Sequence, residues 1–211
     1  MLPLNKIYNL DCMLGMAEFP DNYFELSIVD PPYELPERSG RGAGKLQNRV
    51  IQKMHQKGWD KAPPPEYFTE LFRVSKNQII WGGNYFLDYL KSSRGIICWD
   101  KKQPWPNFSS WEMAWTSFDC VARTYRYDNR QDKKQHPTQK PVKLYKWLLH
   151  NYAKQGDKIL DTHTGSASSI IACEWMGFEY VGFELDKDYY EASLKRLDRE
   201  RQKMQQMKME L

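Results

Sequence analysis

The sequence predicts an α/β domain built on a largely parallel sheet. Short apolar runs that suit strands alternate with segments of helical pattern along the 211 residues, and this alternation is typical of parallel sheets with helical crossovers. The clearest unit spans residues 158–184, where a strand, a loop of small residues, a helix and a second strand follow one another. A chain of this length can bury a substantial core as one domain.

Strand and helix positions follow from the apolar periodicity and from the glycines and prolines that bound it. The expected strands are 6–11, 26–29, 78–83, 95–100, 158–161 and 179–184. The expected helices are 12–19, 65–74, 85–90, 142–151, 169–176 and about 187–205. The pattern predicts a loop at 101–115 and an antiparallel pair formed by 114–118 and 120–126. Gly177 is the expected C-terminal cap of the helix before it.

The chain is predicted to be one domain over residues 1–211, with two less regular segments inside it. Residues 34–61 are rich in glycine and charge and show only a short helical pattern at 45–56, so we expect a mobile flap beside the site. Residues 100–135 form a candidate insert for target recognition. Aromatic side chains cluster there, and such a cluster packs in a core, stacks on bases or contacts another subunit: Trp105, Phe108, Trp111 and Trp115.

Composition argues against several classes of protein. The apolar runs are shorter than a membrane span, and the N-terminus lacks a signal-peptide pattern. The four cysteines are scattered without a C-x-x-C, and the four histidines do not pair at ligand spacing. This argues against a zinc site or a disulfide framework and favours reduced thiols in a cytosol. We therefore expect a cytoplasmic protein without metal or membrane contact.

Positive charge is concentrated in two segments, although the net charge is only +4. Residues 34–61 hold seven basic and three acidic residues, and residues 123–140 hold six and two. Basic loops on an otherwise slightly acidic body suit a polyanion such as nucleic acid, whereas solvated surface loops are the plainer explanation. The candidate nucleic-acid contacts are Arg38, Arg41, Lys45, Arg49, Lys53, Lys101, Lys102, Arg123 and Arg126.

A first candidate site is the run Asp30-Pro31-Pro32-Tyr33, which follows the apolar strand 26–29. Proline fixes φ and cannot donate to a strand ladder, so the two prolines end the strand and stiffen the turn. The Asp30 carboxylate, the Pro31 carbonyl and the Tyr33 ring are then expected to face one small space. Two acceptors beside an aromatic face suit a planar ring that bears an NH₂ group. A proline-rich turn with a surface acid is the alternative.

A second candidate site is the loop that begins at Asp161 and continues through Ser168. Its small residues allow a ligand to approach the backbone and the start of the next helix. Glu184 ends the following strand, 23 residues after Asp161, which is close to the spacing of an acid that binds ribose hydroxyls. The loop lacks the lysine and the glycines of a phosphate cradle, and the Asp161 carboxylate suits a cationic, amine-bearing ligand.

With both sites in view, the sequence resembles the amino-methyltransferases of DNA, in the motif order of their β group. Asp30-Pro31-Pro32-Tyr33 matches the family's catalytic motif, and residues 161–168 resemble its D-P-F-x-G-S-G-T cofactor loop. Residues 182–186 look like the ribose-binding strand, Asn9-Leu10-Asp11-Cys12 resembles the G-D-C segment, and Thr138 with Lys140-Pro141 resembles the K-P motif. The resemblance covers most of residues 6–200.

The resemblance implies S-adenosyl-L-methionine as cofactor and a Rossmann-like fold. The sheet would be mostly parallel and seven-stranded, with one antiparallel strand and helices on both faces. Asp30, Pro31, Pro32 and Tyr33 would be catalytic. The residues implied to hold the cofactor are Asp11, Cys12, Asp30, Thr138, Lys140, Asp161, His163, Gly165, Ser166, Ala167, Ser168, Glu184 and Leu185.

The chain departs from the family pattern inside the cofactor loop. Thr162 and His163 stand where the family has Pro-Phe, and Ala167 replaces a glycine. The family's phenylalanine packs on the cofactor, so the departures predict weaker cofactor packing.

The resemblance implies methyl transfer to an exocyclic amine of a flipped-out base in duplex DNA, with Tyr33 as stacking platform. The D-P-P-Y form favours adenine N6 over cytosine N4. A C5-cytosine enzyme is excluded because no cysteine follows a proline. The alternatives are an N4-cytosine enzyme, an RNA or protein-glutamine methyltransferase, and an inactive DNA-binding relative. The family often forms homodimers, so a homodimer of a bacterial or phage-encoded protein is a further expectation.

Overall fold

An eight-stranded sheet organises the residues that the computed structural model describes, which are 1–34, 61–103, 109–128 and 139–209. The strands are β1 Lys6–Tyr8, β2 Phe24–Val29, β3 Ser75–Trp81, β4 Ile96–Asp100, β5 Trp111–Thr116, β6 Arg123–Arg126, β7 Lys158–Asp161 and β8 Glu179–Phe183. The helices are α1 Cys12–Ala17, α2 Pro65–Val74, α3 Val142–Tyr152, α4 Ser168–Met176 and α5 Lys187–Met209. The strand order is β1-β8-β7-β2-β3-β5-β4-β6.

The sheet is parallel except at β5, which runs antiparallel to both β3 and β4. This confirms the predicted class of a mostly parallel, Rossmann-like sheet with one antiparallel strand. The described residues contain eight strands, one more than the seven that the resemblance implies. Helices cover both faces: α3, α4 and α5 pack on one side of the sheet, and α1 and α2 pack on the other.

Two local predictions are wrong around β5. Segments 114–118 and 120–126 do not pair with each other, because β6 lies parallel to β4, with Arg123 opposite Ile97. A strand begins at Trp111, within the segment 101–115 that was predicted to be a loop. The odd and even positions of this strand face opposite sides of the sheet. In the aromatic cluster, Trp115 is buried whereas Trp111 is half exposed, so part of the cluster belongs to the core.

Most other elements agree with the sequence within a few residues. Helix α2 has the predicted bounds, and α4 ends at Gly177, whose φ of +73° and N–H bond to the Cys173 carbonyl make it a left-handed cap. The helix expected at 85–90 is replaced by a 3₁₀ turn at Gly83–Tyr85. The short helix expected at 45–56 lies outside the described residues. No helix in the described ranges is long and apolar enough to cross a membrane.

Three acidic residues lie together at the carboxyl ends of strands β2, β7 and β8. Strand β2 pairs with β7, with Ser27 opposite Leu160, and β7 pairs with β8, with Leu160 opposite Val181. Because the three strands are parallel, the residues at their ends lie at the same edge. Asp30, Asp161 and Glu184 therefore meet at one side of the molecule.

At the opposite, amino-terminal end of the strands, Glu25 on β2 links its own strand to β3 and β7. Its carboxylate accepts the Lys158 backbone N–H at 2.8 Å, the Lys76 ammonium at 3.0 Å and the Lys158 ammonium at 3.1 Å. Burial opposes ionisation, but these hydrogen bonds and the Lys158 charge outweigh it and lower the pKa of Glu25 to about 2. An acid whose pKa is lowered by folding stabilises the fold at pH values above its pKa in the unfolded chain. That stability is lost as the pH falls through the pKa of the folded state.

We predict that Glu25→Gln lowers the free energy of unfolding at pH 7 by about 1 kcal/mol. The difference from wild type should shrink as pH falls from 4.5 to about 2, because the wild-type carboxylate then becomes protonated. Urea denaturation at several pH values measures this. Glu191→Gln is the control, since Glu191 is exposed on α5. A Glu25→Gln deficit that stays constant down to pH 2 would contradict the assignment.

Candidate active site

The carboxyl ends of β2, β7 and β8 open onto a cavity of about 900 Å³. Its wall contains residues from every predicted motif that the structure describes, although these motifs are widely separated in sequence. They are Asp11 and Cys12, Asp30 to Tyr33, Lys140, Thr162 to Ser166 with Ser168, and Glu184 with Leu185. Thr138 lies outside the described residues. The fold thus brings the D-P-P-Y turn and the small-residue loop to the same cavity.

Asp30 is held from two directions. The Tyr33 hydroxyl donates a hydrogen bond to one carboxylate oxygen, and the Lys140 ammonium donates to the other. The Asp30 side chain is 18% exposed, toward the cavity. Each carboxylate oxygen has a second lone pair, so Asp30 can still accept an N–H from a ligand.

Lys140 is a buried ammonium between two carboxylates. Its side chain is 3% exposed, and it pairs with Asp30 and, at 3.3 Å, with Glu112. It also lies 5.2 Å above the Trp81 ring. Burial lowers the pKa of Lys140, but the charges of Asp30 and Glu112 outweigh burial and raise it, so the ammonium stays charged. Lys140 was predicted as a cofactor residue, and the structure places it against the predicted catalytic acid.

Glu112 is a site residue that the sequence reasoning missed. It lies on β5, lines the cavity and accepts a hydrogen bond from the Lys101 ammonium at 2.8 Å. Burial opposes ionisation of Glu112, but Lys140 and Lys101 outweigh it and lower its pKa. Asp30, Lys140, Glu112 and Lys101 therefore form a row of alternating charges. The period-two pattern of residues 111–116 could have indicated this inward-facing acid.

The Tyr33 ring packs between Gly82 and a second tyrosine. It stacks on Tyr85, with ring centroids 4.8 Å apart and planes 18° apart, and Tyr85 remains half exposed. Burial and the neighbouring Asp30 carboxylate raise the pKa of Tyr33, so its phenol keeps the proton that it donates to Asp30. The sequence reasoning identified Tyr33 as a stacking residue but missed Tyr85.

Asp161 braces the small-residue loop from inside. One carboxylate oxygen accepts the His163 backbone N–H at 3.0 Å and the other accepts the Ser169 hydroxyl. Burial raises the pKa of Asp161 to about 7, against the lowering effect of these two hydrogen bonds. Asp161 is only 3% exposed, and neither it nor Ala167 lies on the cavity wall. A direct contact of either residue with a cofactor stays a prediction.

Glu184 ties the loop to the N-terminal motif. Its carboxylate accepts the Gly165 N–H at 2.8 Å and the Asp186 N–H at 3.0 Å, and burial raises its pKa. The Asn9 amide donates to the carbonyls of Glu184 at 2.8 Å and Leu185 at 3.0 Å. Asp11 caps helix α1 through the Met13 N–H at 2.8 Å. Leu185 is exposed on the cavity wall.

The predicted nucleic-acid contacts are only partly described by the structure. Lys101 lies on the cavity wall, whereas Lys102, Arg123 and Arg126 lie away from it. Arg123 donates to the Asn151 side chain at 2.6 Å, and Arg126 pairs with Asp100 at 3.4 Å. The remaining predicted contacts lie outside the described residues: Arg38, Arg41, Lys45, Arg49 and Lys53. In the described part of the chain, no group of three or more His, Cys, Asp or Glu residues could hold a metal ion.

The fold and the site together define a Rossmann-like α/β protein with the motif set of an amino-methyltransferase. Residues 98–195 match the family model N6_N4_Mtase, described as DNA methylase. The type II methyltransferase M.HpaI of Haemophilus parainfluenzae is 34% identical over 88% of this chain and 72% of its own length. The type II methyltransferase M2.MboI of Moraxella bovis is 27% identical over 90% of this chain and 86% of its own length. The chain therefore belongs to the N6/N4 amino-methyltransferase family of DNA.

Solved structures share the fold at low sequence identity. The M1.HpyAVI–SAM complex has a TM-score of 0.61 at 17% identity, covering 91% of this chain and 98% of that one. The cytosine-N4-specific PvuII DNA methyltransferase has a TM-score of 0.62 at 13% identity, covering 90% of this chain and 84% of that one.

We predict that Gly82→Ala disturbs the Tyr33 ring. Gly82 has a φ of +68°, and an added Cβ would lie 2.2 Å from Tyr33 Cε1. Gly177 is a matched control, because its φ is +73° but its added Cβ would meet only Gln155 Nε2, at 3.6 Å. Both variants should lose about 1 kcal/mol to left-handed strain, and Gly82→Ala should lose about 1–3 kcal/mol more to overpacking. Equal losses in urea denaturation would show that Tyr33 is not held against Gly82.

Proposed function

We propose that this chain methylates the exocyclic N6 of adenine in duplex DNA, with S-adenosyl-L-methionine as methyl donor. The observation that carries the proposal is the shared cavity of the Asp30 turn and the loop 162–166, since methyl transfer requires an amine acceptor and a methyl donor to meet there. The M.HpaI and M2.MboI names, and the SAM complex of M1.HpyAVI, support the same reaction class. These relatives are bacterial proteins, which supports a bacterial or phage-encoded cytoplasmic enzyme.

The residues on the cavity wall fit this cofactor. Glu184 offers a carboxylate for ribose hydroxyls, and Asp11 and Leu185 stand beside it for the adenine. Gly165, Ser166 and Ser168 supply small side chains near the backbone, and Asp30 faces the same space. The volume of about 900 Å³ lies within the range of small-molecule sites. When bound, the cofactor supplies an electrophilic methyl group on a sulfonium centre.

Asp30 activates the amine in this proposal. The lone pair of an aromatic amine is delocalised into its ring, so the nitrogen is a poor nucleophile. Hydrogen bonds from its N–H groups to the Asp30 carboxylate and the Pro31 carbonyl favour a more tetrahedral nitrogen. The nitrogen can then form a bond to the methyl carbon while the carbon–sulfur bond breaks, and the proton that it loses passes toward Asp30. Most of the acceleration comes from positioning and electrostatics in a dry site.

Tyr33 and Lys140 keep the Asp30 carboxylate in place during this reaction. Both donate to it, which leaves few orientations for the acid. Glu112 balances the charge of the Lys140 ammonium from the other side. Lys140 is therefore proposed to position the catalytic acid in addition to its predicted place beside the cofactor.

A base in a duplex must leave the stack to reach this cavity. The stacked rings of Tyr33 and Tyr85 offer an aromatic surface at the cavity, and such surfaces hold unstacked bases. The basic flap 34–61 and Lys101, Lys102, Arg123 and Arg126 are proposed to contact phosphates, which gives a salt-dependent affinity. A homodimer also remains part of the proposal, with the half-exposed Trp111 as one candidate contact.

Adenine is favoured by the D-P-P-Y form of the catalytic motif. Cytosine N4 is the second candidate, because the fold is also that of the cytosine-N4-specific PvuII enzyme. Both bases present an amine next to a ring nitrogen, so Asp30 and Pro31 could engage either one.

We predict that DNA incubated with the enzyme and S-adenosyl-L-methionine gains N6-methyladenine. Nucleoside mass spectrometry after digestion measures the product, and DNA incubated without cofactor is the control. N4-methylcytosine without N6-methyladenine would contradict the adenine assignment but keep the reaction class.

We predict that Asp30→Ala lowers methyl transfer by at least about 100-fold, because the amine loses its charged acceptor. Binding of S-adenosyl-L-methionine, measured by calorimetry, should persist and show that the variant is folded. Asp119→Ala is the control, since Asp119 is an exposed carboxylate paired with Arg94 at 3.0 Å, and it should keep wild-type turnover. Turnover retained in Asp30→Ala would remove Asp30 from the central role.

A further inference from the structure

Thr162 and His163 form a hydrogen-bonded chain with Tyr67 of helix α2. The Tyr67 hydroxyl lies 2.6 Å from Thr162 Oγ1, and Thr162 Oγ1 lies 2.9 Å from His163 Nδ1. The Tyr67 ring also meets the His163 ring edge-on, with centroids 5.5 Å apart. The family's usual Pro-Phe pair has neither a side-chain hydroxyl nor an imidazole, so this chain of hydrogen bonds depends on the residues in which this sequence departs from the pattern.

The chain of hydrogen bonds has one direction that satisfies every buried donor. Tyr67 is 1% exposed and its hydroxyl proton has Thr162 Oγ1 as acceptor. If Tyr67 donates to Thr162, the single Thr162 proton points to His163 Nδ1, which must then accept. The opposite direction would leave the Tyr67 proton buried without an acceptor among the described residues, and buried donors are rarely left so.

This direction determines the tautomer of His163. Burial lowers the pKa of His163 to about 4, so the ring is neutral near pH 7 and carries one N–H. With Nδ1 accepting, that proton sits on Nε2. His163 lines the cavity, and its Nε2 has no hydrogen-bond partner within the described ranges. An N–H donor is thus available at a position where the family pattern has an apolar ring.

We propose that His163 donates a hydrogen bond from Nε2–H to the bound cofactor, and that Tyr67 acts through Thr162 as the positioning residue that fixes this tautomer. The inference rests on the proposed function, because it takes S-adenosyl-L-methionine as the occupant of the cavity. The acceptor is an oxygen or ring nitrogen that S-adenosyl-L-methionine shares with its product S-adenosylhomocysteine. His163 thereby supplies a polar contact where the family's phenylalanine supplies packing.

The first test measures cofactor affinity by calorimetry with both S-adenosyl-L-methionine and S-adenosylhomocysteine. A neutral hydrogen bond corresponds to about a fivefold change in Kd. Tyr67→Phe and Thr162→Val should each raise the Kd of both ligands by about that factor, whereas Thr162→Ser should keep the wild-type affinity. Tyr180→Phe is the matched control, because the Tyr180 hydroxyl is equally engaged, at 2.6 Å from Glu174, but lies away from the cavity.

The decisive comparison is a double-mutant cycle. If Tyr67 acts only through His163, then Tyr67→Phe should cost nothing further in a His163→Phe background. Full additivity of the two losses would mean that Tyr67 has a separate structural role and would overturn the proposal. A wild-type chain that binds neither ligand would instead overturn the proposed function, so the two failures are distinguishable.

The second test reads the tautomer directly. Long-range ¹H–¹⁵N spectra of histidine-labelled protein should show His163 as the Nε2–H form in the wild type, with the resonance assigned from its absence in His163→Phe. In Tyr67→Phe and Thr162→Val this preference should weaken. A wild-type His163 protonated on Nδ1 would overturn the proposal whatever the binding data show.

The fragment 5′-methylthioadenosine locates the acceptor on the cofactor. If His163→Phe weakens the binding of this fragment, the acceptor lies on the adenosine half.

Discussion

The parallel pairing of β2 with β7 is the constraint on which the site depends. Leu26 lies opposite Ile159 and Ser27 opposite Leu160, and paired strands are about 4.8 Å apart. The Asp30 turn and the Asp161 loop, which come from opposite halves of the chain, therefore emerge side by side. Strand β8 pairs next to β7 and adds Glu184 to the same edge. A shift of this register would separate Asp30 from the small-residue loop even if both segments kept their local shape.

The charges around Asp30 explain why distant segments must act together. Burying an ammonium group costs free energy unless the group is paired with an opposite charge. Removing one partner of such a pair leaves the other charge buried and unpaired. Lys140 meets both Asp30 and Glu112, so the residue that opens helix α3, the turn after β2 and the antiparallel strand β5 share one electrostatic unit. The antiparallel strand thereby contributes to the site as well as to the sheet.

The sequence was sufficient to predict features that depend only on residues close together in the chain. Strand β7, the Gly177 cap and helix α2 follow from apolar periodicity, glycine and proline, and the motifs at Asp30 and Gly165 carry their own chemistry. Strand β5 was predicted only in part, because its first residues lie in the aromatic-rich segment 101–115 that the pattern assigned to a loop. Glu112, Tyr67 and Tyr85 were missed for a different reason. Their roles arise from contacts with residues far along the chain, and no local pattern records which strand pairs with which.

Ala167 shows how a departure from a family pattern can leave the local fold intact. It adopts the left-handed φ of +60° that glycine would adopt, and its N–H reaches the Thr164 carbonyl at 2.7 Å to close the turn. A non-glycine residue there costs about 1–2 kcal/mol. Its methyl group is fully buried in the core beside α4, and burying one such group contributes about 0.8 kcal/mol. The burial offsets roughly half of the strain, and the loop keeps its turn with alanine in place of glycine. The polar pair Thr162-His163 is then the departure that changes the chemistry of the cavity wall, since it alters which atoms face a ligand.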